Sequence, residues 1–223
     1  MPRTRDSVRQ ADFSSLPVEN SIQDVSDEIE LYDVNTISIE VYLEDSEEYP
    51  FEEPKKTEGK FKYEYSDQLG TETASGTFQL RHSSQLFVVR KESGTARLDR
   101  IVSVLNNSLD DALESDVTIH NRFRPTREGI WTFIENATWR NYVEILTDLG
   151  EEKRVSEYCE ETGKSFESIV GRYPILRAEF VLELPWNDSV DVVYDQGHLE
   201  ISTDNIEDYE YVLQRFETDV FSN

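Results

Sequence analysis

Arg122, Arg124, Arg127 and Arg140 fall within nineteen residues of one another, interleaved with Trp131 and Trp139. Guanidinium groups pair planar anions in a fixed fork and stack on aromatic faces. Exposed together with tryptophan, they make the side-chain mixture of protein-interface hot spots. The same mixture can hold nucleic acid, the rings stacking on bases while the cations meet phosphates. A second basic group, Arg97 and Arg100, follows Thr95 where a helix is expected to begin. The helix dipole disfavours cations there, so a bound anion or a carboxylate from elsewhere must relieve them.

Other residue types offer less chemistry. His82, His120 and His198 are scattered, with no pair at the i, i+4 spacing of a helical metal site. Cys159 is the only cysteine, which excludes an intrachain disulfide and a Cys-based zinc site. Glu157, Glu160 and Glu161 beside it oppose thiolate formation. Asp191 and Glu200 could form a carboxylate pair for a metal-dependent hydrolase or nuclease. Ser202, however, stands where that chemistry would place a lysine. No Gly-rich phosphate loop and no nucleophile elbow occurs. The expectation is a non-enzymatic protein that takes no cofactor and no metal.

The charge bounds the partner. The chain of 223 residues carries 47 acidic and 22 basic side chains, net −25. The acidity is uneven. Residues 1–60 carry −10 and residues 147–223 carry −13, whereas residues 76–146 are neutral, with nine acids and nine bases. Aromatic residues make up 11% of the chain, enough apolar surface to sustain a core despite the charge. A protein this acidic is a poor general nucleic-acid coat and a poor partner for anionic lipid. No apolar run reaches the length of about 18 residues that a membrane helix needs. The expectation is a soluble cytoplasmic protein with a protein partner, nucleic acid being the alternative and the oligomeric state open. With 7 Lys against 15 Arg, the composition resembles that of proteins adapted to high salt. In molar salt the Debye length is about 3 Å, so crowded carboxylates hardly repel.

The elements that must carry these residues follow from hydrophobic period. Residues 1–28 lack one and are expected to form a mobile arm; residues 29–223 are expected to form a single domain, with any subdivision near 147–175. Alternation predicts strands over 36–43 and 60–65, a hairpin from 76–80 and 85–91, and further strands at 116–121 and 140–147. It also predicts strands near 179–184, 190–194 and 199–201. Thr95 is expected to cap a helix bearing Ile101, Val102, Leu105 and Leu109 on one face. A second helix starts at Pro125-Thr126. Residues 151–170 read as helix on either side of Gly163. A final helix, with Asp204 and Glu207 as a capping box, carries Tyr209, Leu213, Phe216 and Val220. The fold class is therefore α+β, a largely antiparallel sheet with helices packed on it. The strand–strand–helix order of 76–113 recurs in 189–220, which suggests a duplicated ββα unit.

The charge reading predicts higher stability in salt. The melting temperature should be higher in molar KCl than in dilute buffer; equal values would contradict adaptation to salt.

Overall fold

The computed structural model of the protein describes residues 4–13, 28–43, 49–113, 117–120 and 125–221. The chain folds into two compact units. One holds residues 6–40 and 51–123; the other holds residues 124–223 with 41–50 and 1–5.

The N-terminal unit contains β1 (Thr4–Phe13), β2 (Ile29–Ser38), β3 (Lys55–Asp67), β4 (Gly70–Arg81), β5 (Leu86–Gly94), α1 (Leu98–Leu113) and β6 (Val117–Ile119). The strands form an antiparallel sheet in the order β2-β3-β4-β5-β1, and β6 pairs with β1. One face presents Leu31, Phe61, Tyr63, Phe78, Phe87 and Val89, and α1 covers it with Ile101, Val102, Leu105 and Leu109. The helix also holds β6 by its side chains. The Asn106 and Asp110 carboxamide and carboxylate oxygens accept the Ile119 and Val117 N–H groups. Two glycines admit close backbone approach between β4 and β5. A Cβ on Gly76 would lie 1.9 Å from the Arg90 carbonyl oxygen, and one on Gly94, at φ +98°, would lie 2.0 Å from that of Thr73.

The C-terminal unit contains α2 (Arg127–Glu135), β7 (Trp139–Leu146), β8 (Glu152–Arg154), α3 (Val155–Thr162), a 3-10 turn (Phe166–Ser168), β9 (Ile175–Glu183), β10 (Ser189–Asp195), β11 (His198–Ser202) and α4 (Ile206–Phe221). Its antiparallel sheet runs β11-β10-β9-β7-β8. The α2 ring of Phe133 meets Phe180 of β9 and Phe216 of α4 edge to face, at 5.3 and 5.2 Å between centroids. Gly129 lets α2 approach α4, since a Cβ there would stand 2.8 Å from the Asp219 carbonyl oxygen. Tyr42 and Tyr49 are tied to α4. The Tyr42 N–H donates to Gln214 Oε1 at 2.8 Å and the Tyr49 hydroxyl to Glu217 Oε2 at 2.7 Å.

The α+β class and the antiparallel pairing agree with the hydrophobic period. Several local expectations do not. Residues 4–13, expected in a mobile arm, form β1; residues 14–27 of that arm lie outside the described residues. β1 shows no apolar period because its buried members include ions. Asp6, fully buried, takes two hydrogen bonds from Arg90, at 2.7 and 3.0 Å, and Arg9 donates to Asp99 at 2.8 Å. The strand expected at 36–43 runs instead over Ile29–Ser38. Ile39 and Leu43 are buried without entering a ladder, and the Ile39 N–H donates to the Pro54 carbonyl. Thr95 does not cap α1. Its N–H pairs with the Thr73 carbonyl, and the Arg97 carbonyl accepts the first helical bonds, from Arg100 and Ile101. At α4 the cap is Asn205, whose Oδ1 accepts the Glu207 N–H, in place of Asp204. The repeated ββα order is not a shown duplication: α1 packs against β6 and β2, whereas α4 packs against α2. Among the described residues no helix is long and apolar enough to cross a membrane.

The close approach at Gly76 generates a test. Gly76→Ala forces a methyl group onto a backbone carbonyl, and unfolding measurements should find a loss of at least about 2 kcal/mol. No loss would contradict the β4–β5 geometry.

Candidate functional site

α2 is short and amphipathic. Thr126 caps it, accepting the Gly129 N–H on its hydroxyl at 3.1 Å. Inside the helix Trp131 is 1% exposed. Its indole N–H donates to the Tyr173 carbonyl at 2.8 Å, and its ring meets that of Phe166 edge to face at 5.9 Å. Trp131 is thus a core residue that fastens α2 to the segment 166–173.

The two described arginines of the expected surface reinforce the same contact. Arg127, at the helix start, donates from Nη1 to the Arg172 carbonyl. Arg140 reaches back to the helix end, donating from Nε to the Ile134 carbonyl at 3.0 Å and from Nη2 to the Glu135 carbonyl at 2.7 Å. A cation there satisfies the last carbonyls and opposes the negative end of the helix dipole. Its guanidinium also lies 5.2 Å from the Phe166 ring centroid. Arg122 and Arg124 lie outside the described residues.

Trp139 is placed otherwise. It begins β7 and is 70% exposed. Residues directly opposite in an antiparallel ladder share a face. Trp139 lies opposite Val181, and Arg140 opposite the buried Phe180, so the two neighbours point to opposite faces of the sheet. A bulge at Asn141 then returns Tyr142 to the Trp139 face, opposite Glu179. The face away from α2 therefore carries Trp139, Tyr142 and Glu144 of β7 with Arg177, Glu179 and Val181 of β9. Arg154 of β8 lies over the Tyr142 ring at 4.9 Å, the Tyr142 hydroxyl donates to Glu144 at 3.0 Å, and Arg177 bridges Glu179 at 2.8 Å. These contacts surround an exposed indole with polar and charged groups.

Of the residues expected to receive an anion at the start of α1, Arg100 finds a carboxylate of its own unit. Arg100 bridges Glu72 at 3.2 Å and stacks 3.5 Å above the Tyr65 ring centroid. Asp99, in the first turn, meets Arg9 and matches the helix dipole. Thr95 and Arg97 are exposed. Asp191 and Glu200 are not ladder partners; Asp191 lies opposite Ser202 and Glu200 opposite Val193. Among the described residues no three of His, Cys, Asp and Glu gather as metal ligands.

No protein-family model matches the chain, and no curated protein sequence is similar to it.

A test separates the two arginine roles. Arg140→Ala removes two bonds to the end of α2 and should cost about 1–2 kcal/mol of stability. An unchanged unfolding midpoint would mean that the side chain is not held there.

Proposed function

We propose that this is a non-enzymatic binding protein that contacts a protein partner through the outer face of the C-terminal sheet, with Trp139 as the anchor. The observation that carries the reading is the exposure of Trp139, 70%, on a strand whose alternate residues Val143 and Ile145 are buried. An indole held on a paired strand loses little conformational freedom when it docks. Truncating a tryptophan buried at the centre of an interface typically costs about 2 kcal/mol or more. Tyr142, Arg154 and Arg177 around it belong to the residue types enriched in such contacts.

The chemistry also suits salt. Apolar burial is not weakened by salt, whereas contacts to phosphates fall steeply as salt rises. Arg127 and Arg140 give donors to main-chain carbonyls of their own chain, which reduces what they offer a polynucleotide. The partner that fits is a protein with an apolar pocket for one indole, bordered by groups of both charge signs to meet Glu144, Arg177 and Glu179.

Affinity capture in molar KCl, comparing the wild-type chain with Trp139→Ala, tests this. The variant should melt within about 0.5 kcal/mol of wild type, because the side chain is exposed. Mass spectrometry should find a protein retained by the wild type and lost from the variant. Equal retention by both, or an eluate whose absorbance is that of polynucleotide, would contradict the reading.

A further inference from the structure

Tyr158 lies in the middle of α3 and is half-exposed. Its phenolic oxygen is 2.7 Å from that of Tyr173, which is 1% exposed. The two rings meet edge to face with centroids 5.3 Å apart. Lys164 donates from Nζ to the Tyr158 oxygen at 3.4 Å. The Arg172 guanidinium lies 5.4 Å from the Tyr173 ring centroid.

This arrangement makes the two phenols unequal. An ammonium can only donate, so Tyr158 is an acceptor towards Lys164. When Tyr173 gives its own O–H to Tyr158, two donors converge on one phenolic oxygen, and both favour its ionised form. The consequence is that the Tyr158 phenol ionises more readily than an ordinary tyrosine, chiefly through the bond from Tyr173; partial burial opposes this, and Lys164 and the charge of Arg172 outweigh it. Tyr173 is pushed up to about 12 by the bond it gives to Tyr158 and by burial. The acids nearby are otherwise engaged or exposed. Glu161 bridges Lys153 at 2.5 Å, Asp148 faces Arg172 at 3.9 Å, and Glu157 and Glu160 are exposed on α3.

We propose that Tyr158 is a reactive phenol and a site of O-acylation by activated acyl donors. The Tyr158 phenolate oxygen attacks the donor's carbonyl carbon. The aryl ester C–O bond forms, the bond from that carbon to the leaving group breaks, and the leaving group departs with the electron pair. The phenolic proton of Tyr158 passes to solvent, while Tyr173 and Lys164 keep theirs and steady the phenolate until attack. The half-exposed position of Tyr158 gives the donor access that the buried Tyr173 lacks.

The test uses the full chain, folded in molar KCl and treated briefly with limiting N-acetylimidazole. Peptide mass spectrometry, with hydroxylamine reversal to identify phenyl esters, reads each tyrosine. Tyr158 should be acetylated several-fold faster than Tyr32, which is 38% exposed and so no less accessible. Tyr173→Phe and Lys164→Gln should each lower the Tyr158 rate several-fold and leave Tyr32 unchanged. A Tyr158 rate no greater than that of Tyr32 in the wild type would overturn the proposal, as would an unchanged Tyr158 rate in both folded variants.

Discussion

The buried indole of Trp131 holds the C-terminal unit in its arrangement. Its ring lies between α2 and the segment 166–173, and its N–H satisfies the Tyr173 carbonyl, which would otherwise be buried next to apolar surface. With α2 fixed there, Phe133 reaches Phe180 and Phe216 and the helix covers one face of the sheet. Arg127 and Arg140 tie the two ends of the same helix to carbonyl groups. Once Arg140 faces α2, strand alternation turns Trp139 to the other side. The exposed tryptophan thus follows from the buried one, and a cluster that is continuous in sequence becomes an internal strut and a separate outer face.

The charge of −25 is managed by sparing use of bases. In the N-terminal unit Arg9, Arg90, Arg100 and Lys60 each meet a carboxylate, on Asp99, Asp6, Glu72 and Asp33. These pairs differ in their dependence on salt. Lys60 and Asp33 are both more than half exposed, and such pairs contribute little and are screened. Asp6 is fully buried and hydrogen-bonded twice to Arg90, so removing the arginine would leave an uncompensated buried charge. Added salt therefore relieves repulsion among exposed acids without dissolving the ties that hold β1 to β5. The neutral block of residues 76–146 consists in part of such ties, which is why local neutrality by itself does not mark a binding surface.

Apolar period made the hairpins and long helices legible, because Ile101, Val102, Leu105 and Leu109, or Phe180 and Leu182, must all face one way. β1 was illegible for the opposite reason, since its buried positions include Asp6 and Arg9, which read as surface residues until their partners are known. The start of β2 was missed because Tyr32 to Asn35 breaks the ladder, with Asp33 at φ 54°. At the candidate site the residue types were visible and their separation was not. Trp131 and Trp139 look alike in sequence. The predicted strand at 140–147 held the missing signal: extended back to Trp139, its alternation sets Trp139 and Arg140 on opposite faces. The pairing of Tyr158 with Tyr173 had no such signal, for it joins a helix to a turn fifteen residues away.

Trp131 and Trp139 occupy opposite environments within ten residues of sequence. Acrylamide quenching of fluorescence, in variants that carry Trp186→Phe and retain only one of these two tryptophans, tests this directly when done on folded protein in molar KCl. The Trp139 variant should quench nearly as a free indole, and the Trp131 variant should be strongly shielded with blue-shifted emission. Equal quenching of the two, or greater quenching of Trp131, would contradict the account.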